Sequence, residues 1–360
     1  MGGSAFKFLP TTAFPRLPPP LYQSQKARFL RAIQGLYVHV LVPHEGPEKE
    51  SHGDIDFLVC TPRDGNDGAV DVPHQIMQEA LGALHVVPME GNRTSNFAVP
   101  IGQEDRHYFA SSINSEDGPE DLYYQVDVHV CNDKEELERI FFFHSYGDLG
   151  MILGLLAQNV GLALGTNGLK YPHPPHPTIV LSTSYDEIAD FFGLDMGRWH
   201  AGFKTHPEIF DWVASSRFFD PSYFRSGLQK VKPERAMYFQ FTRWAESLER
   251  RNGTADEVVS RRREQVREEA LVRFNRKEEV AAYYRQYNCR QMLKEAWNGH
   301  RVSQWTGLGE RWKAVKQVMD GVREANGGNE GLARIIEVEG EEGIRQRVMN
   351  VFDRLGLKAS

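Results

Sequence analysis

The sequence contains little cysteine and no long uninterrupted hydrophobic run. Three cysteines among 360 residues are too few and too scattered for a disulfide framework or a cysteine-rich zinc site. They are typical of a reducing compartment, so we expect an intracellular location, in the cytoplasm or nucleus, with mitochondria left open. The most apolar stretch, residues 151–164, is broken by Gln158 and Asn159 and is shorter than a membrane span. We therefore expect no membrane partner.

The common motifs of nucleotide binding and hydrolysis are also absent. The sequence has no P-loop, no G-x-G-x-x-G, no G-x-S-x-G and no H-E-x-x-H. These absences argue against the usual phosphate-binding loops, against α/β-hydrolase chemistry and against zinc proteases.

The net charge of −7 is unevenly distributed along the chain. Residues 222–320 contain 21 Lys and Arg against 13 Asp and Glu, so the rest of the chain is strongly acidic. Such asymmetry indicates an anionic partner for the basic part, and nucleic acid is the usual one. A set of solvated, salt-bridged helix faces is the alternative interpretation.

Hydrophobic periodicity divides the chain into a sheet-forming part and a helical part. The first 131 residues predict helices over 23–34 and 72–84, and strands over 36–42, 55–60, 97–101 and 123–131. After residue 133 the pattern becomes helical. We therefore expect an α/β or α+β unit with a small mixed sheet, followed by a mostly α-helical domain. The predicted boundaries are a flexible proline-rich arm over 1–21, a catalytic unit over 22–145, a helical substrate-binding domain over 146–325, and a linker and helix over 326–360.

Two aspartates alternate at the start of the apolar strand over 55–60. Asp54 and Asp56 are two residues apart, so their carboxylates lie on the same face of the sheet. Two adjacent carboxylates on a half-buried face are costly unless a cation lies between them, and Mg²⁺ prefers such oxygen ligands. Carboxylates that accept hydrogen bonds from backbone amides at the strand end are the alternative.

A third aspartate occupies the strand over 123–131. Asp127 lies on one face with Gln125 and His129, and valines lie on the other. If this strand neighbours the first, the three carboxylates can hold two divalent ions roughly 4 Å apart. That arrangement is typical of phosphoryl or nucleotidyl transfer.

The three aspartates and the helical remainder resemble the nucleotidyltransferase superfamily related to DNA polymerase β. This superfamily includes poly(A) polymerases and CCA-adding enzymes. The resemblance implies a nucleotidyltransferase unit that moves a nucleoside monophosphate from an NTP to a hydroxyl with two Mg²⁺ or Mn²⁺ ions. It further implies that Asp54 and Asp56 bind both ions, and that Asp127 binds the catalytic ion and acts as the base. A fungal-type branch of these proteins is similar over residues 144–150, 186–195, 199–203, 216–219 and 299–309.

This chain departs from the family pattern in one segment. The family usually has a Gly-Gly or Gly-Ser pair after the first strand, and residues 43–53 contain neither. Lys49, Ser51 and His52, next to Gly53, are the candidate substitutes for contacts to the triphosphate.

Two further groups of residues are candidates for contacts to substrates. Tyr146 can stack on a base and Asp148 can read its edge, although capping of the following helix is an alternative role for this segment. Lys26, Arg28 and Arg31 lie on a helix without acidic residues and are the candidate contacts to nucleic-acid phosphates. The expected acceptor is RNA, such as a tRNA-like 3′ end. A small-molecule or protein hydroxyl, and a non-catalytic binding protein of the same fold, are the alternatives.

Overall fold

The chain forms two compact units, Met1–Phe274 and Asn275–Ser360. The computed structural model describes residues 3–63, 71–89, 93–109, 121–224, 231–233, 235–248 and 256–359. In the described residues the first unit contains a five-stranded mixed sheet with helices, and the second unit is helical. The general α+β class that the sequence predicts is confirmed.

One mixed sheet organises the first unit. Its strands are β1 (Tyr37–Leu41), β2 (Ile55–Pro62), β3 (His85–Met89), β4 (Thr94–Pro100) and β5 (Tyr123–Val130). Their order is β1-β2-β5-β4-β3, with β2 and β5 parallel and the other neighbouring pairs antiparallel. β2 lies inside the sheet because its run IDFLVC is apolar enough to be covered on both faces. The sequence predicts four of these strands and misses β3, in which a proline weakens the strand pattern.

Two helices cover one face of the sheet. Helix α1 (Pro19–Gln34) begins with prolines in its first turn, where their missing N–H groups cost nothing. Helix α2 (His74–Leu81) packs beside it. The buried side chains of both helices recur at three- and four-residue spacing, so they form one apolar stripe. This stripe packs on Ile55, Phe57, Val59, Phe97, Val99, Val126 and Val128 of the sheet.

Helix α3 (Lys134–His144) lies on the opposite face. Its first turn is capped by Asp133, whose carboxylate accepts the N–H of Glu136 at 2.7 Å. Leu137 and Ile140 pack on Leu58, Cys60 and Cys131. Since residues two apart in a strand share a face, α3 lies on the same side of the sheet as Asp56.

The first unit continues with further helices and a small antiparallel sheet of order β6-β7-β8. These elements are α4 (Leu149–Asn159), β6 (Ala163–Gly165), β7 (Gly168–Tyr171), β8 (Ile179–Ser182), α5 (Tyr185–Phe192), α6 (Met196–Ala201), α7 (His206–Ala214), α8 (Ala236–Leu248) and α9 (Asp256–Arg273). Short 3-10 helices lie at Thr11–Ala13, Arg106–Phe109 and Pro221–Tyr223. Across the described ranges no single helix is long and apolar enough to cross a membrane. Helices α3 and α4 would be long and apolar enough only if they were counted as one segment, and a 90° bend separates them.

The second unit is built from α10 (Lys277–Ala296), α11 (Gly299–Thr306), α12 (Trp312–Ala325) and α13 (Gly328–Arg354). Its core contains Leu293, Trp297, Val302, Val315, Val318, Ile344 and Val348. Only two residues separate α12 from α13, and both helices contribute to this core. The helix predicted within 326–360 is therefore present, but this segment belongs to the same unit as α12.

The predicted boundary between residues 145 and 146 is also wrong. Residues on both sides of it belong to the first unit, and Ser145 accepts a hydrogen bond from the N–H of His44 at 3.0 Å. The predicted helical domain over 146–325 is instead divided between the two units at Phe274. Periodicity distinguishes helix from strand, but it does not report which helices share a core.

The N-terminal arm predicted over 1–21 is not flexible in its described part. Phe6 is fully buried and its ring stacks on that of Phe14, with centroids 5.0 Å apart. Leu17 exchanges backbone hydrogen bonds of 2.8 and 2.9 Å with His52. In the described residues no α-helix begins before Pro19, and the aromatic side chains of this arm pack against Ala98 and Tyr123.

Replacing Phe6 with leucine should lower the free energy of unfolding by about 1 kcal/mol, because the smaller side chain leaves part of this pocket unfilled. Phe8 is 61% exposed, so Phe8→Leu is the matched control and should change the stability by less than about 0.5 kcal/mol. Chemical denaturation measures both differences. Equal stability of the two variants would contradict the packed arm.

Candidate functional site

The parallel pairing of β2 and β5 brings two of the predicted aspartates together. Asp56 lies directly opposite Asp127 in the register, and Asp54 lies two residues before Asp56 at the entrance to β2. On its other side Asp127 faces Asn96 of β4. The two strands are neighbours, which is the condition for the predicted metal site, and the carboxylates lie on one face of the sheet.

Two clefts of the first unit meet at Asp56. The larger has a volume of about 410 Å³ and includes Glu45, Lys49 and Asp148 in its lining. The smaller, of about 310 Å³, includes Asp127 and His129. The residues that line both are Pro43, Asp56, His144, Gly147 and Arg235. We refer to the two together as the carboxylate cleft.

Side-chain amides hold Asp127 in position. Asn96 Nδ2 donates to Asp127 Oδ1 at 2.6 Å, and Gln125 Nε2 lies 2.9 and 3.0 Å from the two carboxylate oxygens. Both amide side chains are buried, so they have little freedom to turn away. The alternation of β5 indicates Gln125 as a neighbour of Asp127, but sequence reasoning does not find Asn96, because the pairing of β4 with β5 is a tertiary contact.

The carboxylates of the cleft carry more negative charge than their surroundings neutralise. Burial and the charges of Asp54, Asp127 and Glu45 raise the pKa of Asp56 well above its usual value. The Asp56 side chain is exposed at the floor of the cleft, with many protein atoms close around it.

Asp127 shows the same effect more weakly. Burial raises its pKa to about 6, with a further contribution from the charge of Asp54, while the hydrogen bonds from Asn96 and Gln125 act in the opposite direction. The hydrogen-bonding amides are neutral, so they orient the carboxylate without balancing its charge. The cleft therefore favours a bound cation.

Glu45 is a fourth carboxylate at the cleft, and sequence reasoning misses it. Tyr22 donates its hydroxyl hydrogen to Glu45, Lys49 Nζ lies 2.8 Å from Glu45 Oε2, and His52 Nδ1 lies 3.1 Å from the same oxygen. Burial raises the pKa of Glu45, but the interactions with His52, Lys49 and Tyr22 outweigh it and lower the value to about 2. Unlike Asp56, Glu45 is thus already compensated by protein groups.

This compensation predicts a pH-dependent contribution to stability. Because the pKa of Glu45 falls from 4.5 to about 2 on folding, its ionised form stabilises the fold above pH 4.5, and this stabilisation is lost as the pH falls toward 2. Glu45→Gln should lower the free energy of unfolding by about 2 kcal/mol at pH 6 and by much less near pH 2. Denaturation of both proteins across this range measures the difference. A difference that does not change with pH would contradict the prediction.

The structure separates the predicted triphosphate contacts. Lys49 lines the carboxylate cleft, where it is paired with Glu45. Ser51 instead accepts a hydrogen bond of 2.7 Å from Arg16. His52 is 3% exposed and its ring stacks on Tyr22 at a centroid distance of 3.6 Å. Ser51, His52 and Gly53 do not line either cleft. His52 is thus too buried to contact phosphate, because the bridge to Leu17 turns it into the protein, while Ser51 is held by Arg16 outside both clefts.

Tyr146 and Asp148 also have structural roles. Tyr146 is 4% exposed, and its hydroxyl donates to the carbonyl oxygen of Trp199 at 2.9 Å, so it cannot stack on a base in this arrangement. Asp148 lines the cleft but accepts from Arg235 at 3.0 Å and from the N–H of Tyr238 at 3.2 Å. It therefore caps the first turn of α8, not its own helix α4, for which no side-chain cap is present.

The three candidate phosphate contacts of α1 do not all lie on one side of the helix. Lys26 lies 5.2 Å from the centre of the Tyr22 ring, and its charge contributes to lowering the pKa of His44 at the cleft, after the larger effect of burial. Arg28 contacts Gln25 at 3.2 Å and the ring of Phe29. Residues two apart on a helix point in different directions, so Lys26 and Arg28 do not share a face. Arg31 is exposed.

A cation site is supported by the chemistry of the donors more than by their present arrangement. Asp54, Asp56 and Asp127 supply hard oxygen ligands, which Mg²⁺ and Mn²⁺ prefer, together with uncompensated negative charge. In the described part of the chain no three His, Cys, Asp or Glu side chains are already close enough to hold a metal ion. A bound cation would have to draw these carboxylates together.

Comparison with known proteins adds no assignment. A scan against protein-family models found no match, and a search of the curated proteins found none.

Proposed function

We propose that this protein is a metal-dependent nucleotidyltransferase that moves a nucleoside monophosphate from an NTP to a hydroxyl acceptor. The observation that carries the proposal is the register of β2 and β5, in which Asp56 and Asp127 are direct neighbours on the floor of a cleft and Asp54 precedes them. Their unbalanced negative charge supports a site for divalent cations.

Each aspartate has a role in this proposal. Asp54, Asp56 and Asp127 would hold Mg²⁺ or Mn²⁺, with Asp54 and Asp56 shared between two ions. The metal would neutralise charge on the phosphates and lower the pKa of the acceptor hydroxyl. Asp127, which is oriented by Asn96 and Gln125, would accept the proton of that hydroxyl.

Lys49 and Arg235 are the candidate contacts to the triphosphate. Both line the 410 Å³ cleft together with Asp56. The Arg235 side chain is 50% exposed and its Nη1 lies 3.0 Å from Asp148 Oδ1, so it is anchored while part of the guanidinium stays open to solvent. Such a group can bind phosphate oxygens through several N–H donors. In this proposal it replaces the Gly-Ser pair, and sequence reasoning misses it because residues 56 and 235 are far apart in the chain.

The acceptor is proposed to be RNA because residues 222–320 are basic. Several arginines of this segment are paired with carboxylates, among them Arg262 with Asp220 and Arg273 with Asp190. The charge excess therefore supports RNA less strongly than composition alone indicates. A small-molecule hydroxyl is the second candidate, and the volumes of the two clefts, about 410 and 310 Å³, are within the range of small-ligand pockets.

Calorimetry with each of the four NTPs tests the proposal directly. Binding of at least one NTP should require Mg²⁺ or Mn²⁺ and should disappear with EDTA. Incubation of the labelled NTP with the protein and total cellular RNA then tests the acceptor, and RNA binding should weaken steeply with salt. Transfer of the label from the NTP to a product when no RNA is added would support a small-molecule or protein acceptor. Metal-dependent binding without turnover would support a non-catalytic relative, and absence of any NTP binding would contradict all of these functions.

A further inference from the structure

The two parts of the carboxylate cleft differ in the proposed reactive groups that line them. Asp127 lines only the smaller part, of about 310 Å³, and Lys49 lines only the larger part. In the proposed function Asp127 accepts the proton of the acceptor hydroxyl, while Lys49 contacts the triphosphate. The acceptor hydroxyl therefore has to enter the smaller part, which we call the acceptor cleft.

His129 lies beside Asp127 in the acceptor cleft. The two residues are two positions apart in β5, so their side chains leave the same face of the sheet. The other ionisable groups in this lining are Asp56, His144 and Arg235. Those three also line the larger part, whereas His129 does not. His129 is thus placed to contact the acceptor and not the triphosphate.

The imidazole of His129 is oriented by the neighbouring strand. Thr94 lies directly opposite His129 in the register of β4 and β5, and its Oγ1 lies 2.8 Å from His129 Nδ1. Among the described residues Nε2 has no hydrogen-bond partner, and it is not one of the enclosed atoms without a partner, so a ligand can reach it. A hydroxyl group satisfies Nε2 in either tautomer of the ring, because a hydroxyl both donates and accepts.

The spacing of the two side chains limits which hydroxyl groups can be bound together. Side chains on one face of a strand stand roughly parallel, so the polar ends of Asp127 and His129 are about 7 Å apart. A hydrogen bond of about 2.8 Å from each end leaves only a short span between the two bound oxygens. Hydroxyl groups on adjacent carbons fit this span.

We infer that the acceptor carries hydroxyl groups on adjacent carbons, as ribose does, and that His129 Nε2 binds the hydroxyl next to the reacting one. This assignment rests on the proposed function, which supplies Asp127 as the base. In the transfer step the reacting oxygen forms a bond to the α-phosphorus of the NTP, the bond from that phosphorus to the pyrophosphate oxygen breaks, and the hydroxyl proton passes to Asp127. The hydroxyl bound by His129 keeps its proton.

Transfer assays on the full chain with pairs of acceptors test this inference. One pair is an RNA oligonucleotide that ends in ribose and the same oligonucleotide ending in 2′-deoxyribose. The other pair is adenosine and 2′-deoxyadenosine, which distinguishes a small-molecule acceptor from an RNA end. In at least one pair, kcat/KM should be about tenfold higher for the acceptor with adjacent hydroxyl groups, because the other acceptor lacks one hydrogen bond.

Two substitutions of His129 separate binding of the acceptor from support of the strand. His129→Asn keeps a polar group near the position of Nδ1, where Thr94 is bonded, but has none at the position of Nε2. It should lower kcat/KM about tenfold for the ribose acceptor and leave the deoxyribose acceptor and the KM of the NTP unchanged. His129→Gln carries an amide that reaches the position of Nε2 and should keep most of the preference. Loss of a purely structural contact would instead lower kcat/KM for both acceptors alike.

His39→Asn is the matched control. His39 is a half-buried histidine of β1 that lines neither part of the carboxylate cleft, so its replacement should leave the preference unchanged. Equal kcat/KM within both pairs would overturn the inference, as would a wild-type preference in His129→Asn. Metal-dependent NTP binding without transfer to any of these acceptors would overturn it as well. Absence of metal-dependent NTP binding would contradict the proposed function and, with it, this inference.

Discussion

Replacing Asp127 with asparagine should reduce metal-dependent NTP consumption by about 10³-fold. The change removes a charged ligand of the proposed metal site and the group that would accept the proton of the acceptor. It also brings an amide into a position where Asn96 and Gln125 donate to both oxygens, so one of these side chains has to turn before the new Nδ2 group finds an acceptor there. The rate of pyrophosphate release with each NTP measures the effect.

Asp121→Asn is the matched control for this substitution. Asp121 is exposed, shortly before β5, and it lines neither part of the carboxylate cleft. The same neutralisation there should change the rate by less than about twofold. If Asp127→Asn keeps the activity of the wild type while the folded state is intact by circular dichroism, Asp127 has no part in the reaction.

Divalent cations should stabilise the wild-type protein and should not stabilise Asp56→Asn. A cation that binds only the folded state at a hundredfold excess over its Kd adds about 2.7 kcal/mol to the free energy of unfolding. In the wild type it would relieve the repulsion among Asp54, Asp56 and Asp127, which adds to the larger effect of burial in raising the pKa of Asp56. Without metal, Asp56→Asn should itself be more stable than the wild type, on the order of 1 kcal/mol, because it removes one of the repelling charges.

Thermal denaturation with Mg²⁺, with Mn²⁺ and with EDTA measures both effects. Glu48→Gln is the control, because Glu48 lines the cleft but lies near His206, at 3.3 Å, and is outside the aspartate group. It should keep most of the response to metal. A metal response of equal size in the wild type and in Asp56→Asn would mean that the cation binds elsewhere.

The central part of the fold was predictable because its sequence patterns are local. The apolar run over 55–60 and the alternation over 123–131 each predict a strand, and these strands are β2 and β5. The stripe of α1 is readable over residues 23–34, and the structure extends this helix back to Pro19. The same alternation puts Asp54 and Asp56 on one face, and Gln125 and Asp127 on one face, without knowledge of the sheet order.

The errors concern residues whose partners are distant in sequence. Ser51 and His52 have the polarity of phosphate contacts. In the folded chain, however, Ser51 accepts a hydrogen bond from Arg16, and the ring of His52 stacks on Tyr22. The proline-rich composition of that segment disfavours a long α-helix, yet it carries no information about the pocket that receives Phe6. Composition describes what a segment cannot form locally, and it does not describe what it can pack against.

The amino-acid sequence alone determines which carboxylates share a face of each strand, because side-chain alternation is a property of the extended backbone. Only the tertiary structure decides that β2 and β5 are neighbours in a register that aligns Asp56 with Asp127. It also decides that Glu45 is neutralised by protein groups while Asp56 is not. These outcomes depend on strand order and on contacts between distant segments, which are selected by burial of the whole core and not by any local pattern.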